Sequence, residues 1–280
     1  MPSAITLIAV VIRQILVRTI PVYIGIDVAC GGGKKLPICV VSAGHPLVPL
    51  AIPAHLAVLI PRGAGNKEIA AAQPFREAAR GFVSTFKHIV DEMGWTVERM
   101  ALDAPTAPPA KGNRSSENEL ARAGLSSFRT PDVSAWTDIR ATCVDHLRSG
   151  GALSKLPYAN KIWMLYGFEL CASLKSDLAT EVIEVYPFAI IRALLPACEH
   201  KSTEQGYRNQ LAAVAAHTGW KPQSLEARLR AVVSGSRHDR LDAFMAAWVA
   251  SLPVNARRAF GDVVQLDDAI WVPVCSSDRQ

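Results

Sequence analysis

Two kinds of stretch make up this chain: short, nearly unbroken apolar runs, and longer segments in which apolar residues recur every three or four positions. Continuous runs bounded by turn residues predict buried strands, and the three- and four-residue recurrence predicts helices that bury one stripe. The runs are "PVYIGIDVA" from residue 21, "LPICVVSA" from 36, "LAVLI" from 56, "ERMALDAP" from 98 and "TEVIEVYP" from 180. "DDAIWVPV", from 267, reads as a terminal strand. Residues 67–93 carry Phe75, Ala79, Phe82, Phe86 and Ile89 at helical steps. "NKIWMLYGFELCASL", residues 205–218 and residues 222–233 are further helices. The last helix begins in "SRHDRLDAFMAA", where Leu241, Phe244, Met245 and Trp248 hold core spacing and Ala243, Ala246, Ala247 and Ala250 keep the helix slim.

Between these elements, "CGGGKK" after the first run reads as a turn, because consecutive glycines supply the positive φ that tight reversals need. "TAPPAKGNRSSENEL" reads as a loop entering a short helix, and residues 125–160 are weakly patterned. The order is a β-meander, a helix, a strand, an insertion, a strand and closing helices. That predicts an α/β protein with a mixed central sheet flanked by helices, not a regular βαβ repeat. We expect one domain over residues 21–280, with a helical and loop insertion at about 105–175. The stretch "SAITLIAVVIRQILVRTI" stands apart from it. Arg13 interrupts its apolar run too early for a membrane span, and a signal peptide would have a basic start and a small-residue cleavage site. Residues 1–20 are therefore expected to be an extension, either amphipathic or read from an upstream start codon.

Composition narrows the class only a little. A chain of 280 residues can bury a sizeable core, and a formal net charge of +5 permits a polyanionic partner without demanding one. The six cysteines, at 30, 39, 143, 171, 198 and 275, show no paired spacing. That argues against a structural zinc or a disulfide framework and for a reducing cytoplasm.

The acids change the picture more. Three strands end on one: Asp27, Asp103 and Glu184. Open α/β sheets place ligands outside the carboxyl ends of their strands. The last helix adds Asp239 and Asp242, three residues apart and so on one side. The plain account is that Asp239 caps this helix and Asp242 complements its positive end. The alternative is a pair of metal ligands. Clustered carboxylates repel unless a cation compensates, and oxygen ligands of this kind suit Mg²⁺ or Mn²⁺.

The series "GIDVA", "ALDAP", Arg114-x-x-Glu117, "VIEVYP", Lys201 to Arg208 as K-(x)4-G-Y-R, "HDRLDAFMAAW" and "IWVP" resembles the family catalogued as domain of unknown function 429. The resemblance runs in order from about Ile24 to Pro273. It implies a ribonuclease H-like fold and a nuclease, since that family is regarded as a predicted nuclease of this superfamily, which includes Holliday-junction resolvases. There an acid on the first strand, one on the fourth and one or two on a late helix bind two magnesium ions. Carried over, this implies Asp27, Asp103, Asp239 and Asp242 as metal ligands, with Asp27 bridging two Mg²⁺ or Mn²⁺ ions. Glu184 belongs to the family's own motif and is expected to orient the attacking water. Arg114, Lys201 and Arg208 are candidate phosphate contacts. The expected reaction is two-metal hydrolysis of phosphodiester bonds in DNA or RNA; a dimer would suit a junction substrate.

Two other classes compete. "GIDVACGGGKK" resembles the first phosphate loop of ATP-dependent phosphotransferases with the related actin-like fold, but "LDAPTAPP" lacks the second glycine loop they need. A non-catalytic nucleic-acid or protein binder is the third, and four retained acids argue against it, because an unused carboxylate cluster costs stability.

Overall fold

The architecture comes from a computed structural model that describes residues 19–28, 34–63, 65–67, 74–125, 128–262 and 268–274. The N-terminal stretch up to residue 18, the glycine turn and Cys275 lie outside the described residues. Strands β1 (Ile20–Asp27), β2 (Ile38–Ser42) and β3 (Val48–Leu50) form an antiparallel meander. Short helix α1 (Ala54–Ala57) and long helix α2 (Pro74–Glu92) lead to β4 (Trp95–Asp103), which pairs parallel with β1. Helices α3 (Ser115–Arg122), α4 (Val133–Arg148) and α5 (Ala159–Leu178) follow, then β5 (Glu181–Val185), parallel to β4. Helices α6 (Pro187–Leu194), α7 (Glu204–Thr218), α8 (Pro222–Val232) and α9 (Arg237–Ser251) precede a closing hairpin of β6 (Arg257–Asp262) and β7 (Asp268–Pro273). Among the described residues the sheet has seven strands in the order β3-β2-β1-β4-β5-β7-β6. The chain is thus an α/β protein with a mixed sheet flanked by helices.

Two apolar layers sandwich the sheet. In one, Phe75, Ala79, Phe82, Phe86 and Ile89 of α2 are all buried, together with Ile162, Tyr166, Leu170 and Leu174 of α5. Rings of Phe82 and Phe86 stack at 6.0 Å, as their four-residue spacing on a helix allows. The other layer centres on α9, whose residues from Leu241 to Ala250 are buried without a break. A helix buried all round needs a flat seat, and Gly25 of β1 provides it. A Cβ there would lie 2.1 Å from the carbonyl oxygen of Ala243 and 2.2 Å from the amide nitrogen of Ala247. The alanine face of α9 therefore rests backbone to backbone on the middle of β1.

Four elements differ from the sequence expectation, one of them helix α6, for which the sequence reading has no counterpart. The third strand lies at Val48–Leu50, not at 56–60, where α1 and a turn occur instead. Pro49 is tolerated because β3 is the edge strand, and Val58 and Leu59 are exposed, so the run at 56–60 has no second face to bury. Helix α4 occupies part of the weakly patterned region, started by Asp132, whose side chain accepts from the amide of Ala135 at 2.9 Å. Strand β6, "RRAFGD", carries three charges and a glycine; it is an outer strand that pairs only with β7. Within the expected insertion at 105–175, α5 belongs to the core layer. No helix among the described residues is long and apolar enough to cross a membrane.

Candidate active site

The parallel pairing of β1 with β4 sets Asp27 directly opposite Asp103 at the carboxyl ends of the two central strands. Neighbouring strands lie about 4.8 Å apart, so these side chains leave the sheet side by side. Alternation puts them on the face of Gly25, two residues before Asp27, and hence toward α9. Asp242 comes down onto them from that helix. It is 3% exposed, and its Oδ1 is buried without a hydrogen-bond partner. Its other oxygen accepts a short, charge-assisted bond from the Lys201 ammonium, which arrives on the loop before α7. Asp27, Asp103, Lys201 and Asp242 line one cleft of about 490 Å³.

Electrostatics follow from three acids brought together in one cleft. Burial, then the charges of Asp242 and Asp239, push the Asp27 carboxyl from an ordinary 3.8 up to about 8. Asp103 is raised too, by burial first and by Asp27 and Asp242 next. For Asp242 burial again dominates upward, and the Lys201 ammonium pulls it back. Lys201 is itself raised, because the attraction of Asp242, Asp103 and Asp27 outweighs its own burial. Without a metal, this cluster is held together by one ammonium and by protons on the acids. Among the described residues no group of three or more His, Cys, Asp or Glu side chains is placed so that it could hold a metal ion.

Asp239 has the plain role. Its carboxylate accepts from the Ser236 amide at 2.9 Å, and the Ser236 hydroxyl accepts from the Asp239 amide at 3.3 Å, which closes a capping box at the start of α9. It stands at the rim, close enough for its charge to act on Asp27.

Glu184 and Arg114 are placed elsewhere. Register pairs Glu184 with Leu102, not with Asp103, so it leaves the sheet on the opposite face from Asp27 and Asp103. There it accepts two bonds from the Arg114 guanidinium, at 2.8 and 2.7 Å, and one from the Thr106 amide at 3.1 Å. Arg114, 2% exposed, also reaches Asp268 at 3.1 Å, and Asp268 in turn binds Ser115 and Ser116 at the start of α3. Glu117 accepts from the Thr130 amide at 2.9 Å. The Arg114–Glu184 pair ties the segment after β4 to the sheet, and Glu184 shares a small pocket with Asp103, on whose carboxyl its charge acts. Arg208 lies on the exposed side of α7, bonded to Glu204 at 2.8 Å, and does not line the cleft. Of the three candidate phosphate contacts, Lys201 alone lines it.

Sequence reading missed the cleft's aromatic wall, formed by Phe128, Trp163, Tyr186 and Phe188. No spacing joins these residues, which come from a loop, from α5 and from the β5–α6 junction. The glycine turn on which the phosphotransferase alternative rests lies outside the described residues.

A family profile described as protein of unknown function (DUF429) matches residues 54–259. The chain belongs to this family. The match takes in Asp103, Glu184, Lys201, Asp239 and Asp242, while Asp27 lies before it. No curated protein and no solved structure matches the chain.

Proposed function

We propose that this DUF429 member is a divalent-metal-dependent nuclease of ribonuclease H-like architecture that hydrolyses phosphodiester bonds of DNA or RNA. One observation carries the reading: Asp27 and Asp103 stand in register on adjacent parallel strands, facing Asp242 of the late helix. The donors are carboxylate oxygens, the kind that Mg²⁺ and Mn²⁺ take, and the partnerless Oδ1 of Asp242 is a buried acceptor awaiting a cation.

Asp27, Asp103 and Asp242 would hold the ion or ions, with Asp239 at the rim. A bound divalent ion supplies charge neutralisation at the phosphate and a nucleophile at neutral pH. The protein's own part is to keep three carboxylates together in one cleft. The Gly25–alanine contact fixes α9, and hence Asp242, against β1. Lys201 holds Asp242 in the cleft, and its ammonium would also be in reach of a bound phosphate oxygen. Glu184 and Arg114 act at a distance, by fixing the chain that follows Asp103.

The test is cleavage of labelled single-stranded, duplex and branched DNA and RNA, with Mg²⁺, Mn²⁺ or EDTA, by wild type, Asp27→Asn and Asp242→Asn. We expect metal-dependent cleavage that drops at least about a hundredfold in either variant. Equal activity in wild type and both variants would refute the assignment of these acids. A folded protein that cleaves nothing and binds no metal would refute the nuclease reading.

A further inference from the structure

Besides the acids, four aromatic rings line the cleft: Phe128, Trp163, Tyr186 and Phe188. Phe128 meets Trp163 edge-on, with centroids 6.4 Å apart and planes at 79°, and meets Tyr186 at 5.9 Å and 68°. Tyr186 continues to Phe188 at 6.1 Å. Phe128 is nevertheless 55% exposed. An exposed phenylalanine held by two neighbouring rings is fixed without being buried, which is the state of a contact surface, not of a core residue. That exposure leaves Phe128 ring surface open to a flat partner.

We propose that the aromatic wall takes an unpaired nucleobase, so that the site acts on single-stranded or locally unpaired nucleic acid. The inference rests on the nuclease reading and narrows its substrate class. A base inside a duplex has both faces covered by its neighbours and can stack on a protein ring only after leaving the stack. The cleft volume of about 490 Å³ lies in the range, roughly 300–1,000 Å³, of pockets that enclose a small ligand, which suits a single nucleotide. The pocket also gives that nucleotide's two ends different partners: apolar rings for the base, and the acids with Lys201 for the phosphate. Lys201 is the one Lys or Arg lining the cleft among the described residues, and it is engaged by Asp242. Stacking, not a basic track, must therefore supply much of the affinity.

Fluorescence anisotropy tests this on Asp27→Asn protein with Mg²⁺, using labelled twelve-nucleotide DNA and RNA as single strands and as blunt duplexes. Single strands of DNA, RNA or both should bind at least about tenfold more tightly than the matching duplexes. Phe128→Ala should lower that affinity about tenfold with an unchanged thermal midpoint, as exposure of its ring leads one to expect. Trp163→Ala should add to the loss, and Trp163→Phe should restore most of it. Equal or tighter duplex binding, no binding of any form, or single-strand binding indifferent to Phe128→Ala would overturn the inference. Metal-dependent cleavage confined to duplexes would overturn it as well and leave the nuclease reading standing, whereas loss of that reading would show in the wild type as absent metal binding and cleavage.

Discussion

The Asp27 carboxyl departs far from the ordinary. Its carboxyl holds a proton up to about pH 8 in the fold and releases it near 3.8 when unfolded, so its contribution to stability is complete below about pH 4 and is lost as pH rises through about 8. In EDTA, Asp27→Asn should therefore melt higher than wild type, by an amount that grows from pH 5 to pH 8. For a chain of this size a stability change of about 1 kcal/mol moves the midpoint roughly 2–4 °C, well within reach of calorimetry. A difference that shrinks with rising pH would contradict the raised carboxyl. At Glu184 burial again raises the carboxyl, but the Arg114 guanidinium bonded to it in a buried pair pulls it back. Arg114→Met should strand the Glu184 charge and destabilise the fold by about 3–5 kcal/mol in urea unfolding, while the double change Arg114→Met with Glu184→Met should cost clearly less than the two singles added. Additive losses would show that the two do not act as a pair.

At the scale of elements, what could be read from the sequence depended on whether the signal was local. Helix α2 was legible because its five core residues recur on one face, and β1, β4 and β5 because both their faces are buried. The acids at the ends of β1 and β4 were legible for the same reason, since a parallel register aligns two strand ends. Glu184 ends a strand in the same way, yet one residue of register sends it to the other face, and no single-strand pattern reports that offset. Asp239 and Asp242 share a helix side, but the capping box claims the first and burial the second. Edge strand β3 was hidden by Pro49, and α4 by its mixed composition. The slim face of α9 was legible; the glycine opposite it was not. Gly25→Ala should prevent α9 from seating, because a Cβ would stand 2.1 Å from a backbone oxygen that no rotamer can move. The expected result is loss of a cooperative unfolding transition in circular dichroism, and a native-like transition would refute the close contact.

Across the whole molecule, the two apolar layers divide their tasks. The α2–α5 layer backs the sheet, while the α9 layer carries the face on which Asp27, Asp103, Asp242 and Lys201 converge. The cleft exists because β1, β4 and β5 end, and α9 begins, at the same edge, and its aromatic wall is assembled from segments far apart in sequence. That wall escaped sequence reading because no run of aromatic residues encodes it. Stability and function oppose each other at this edge: buried acids destabilise the metal-free fold, and a divalent ion should both relieve that repulsion and displace protons, so metal affinity should rise with pH.

The most direct measurement is Mn²⁺ binding followed by electron paramagnetic resonance of the free ion, on wild type, Asp103→Asn and Asp242→Asn at pH 8. The cleft is expected to take up Mn²⁺ in the wild type, and each variant should lose at least about tenfold in affinity, with Mg²⁺ competing for the same site. Wild-type protein that leaves Mn²⁺ free, or variants that bind it as tightly as wild type, would contradict the metal site on which the nuclease assignment stands.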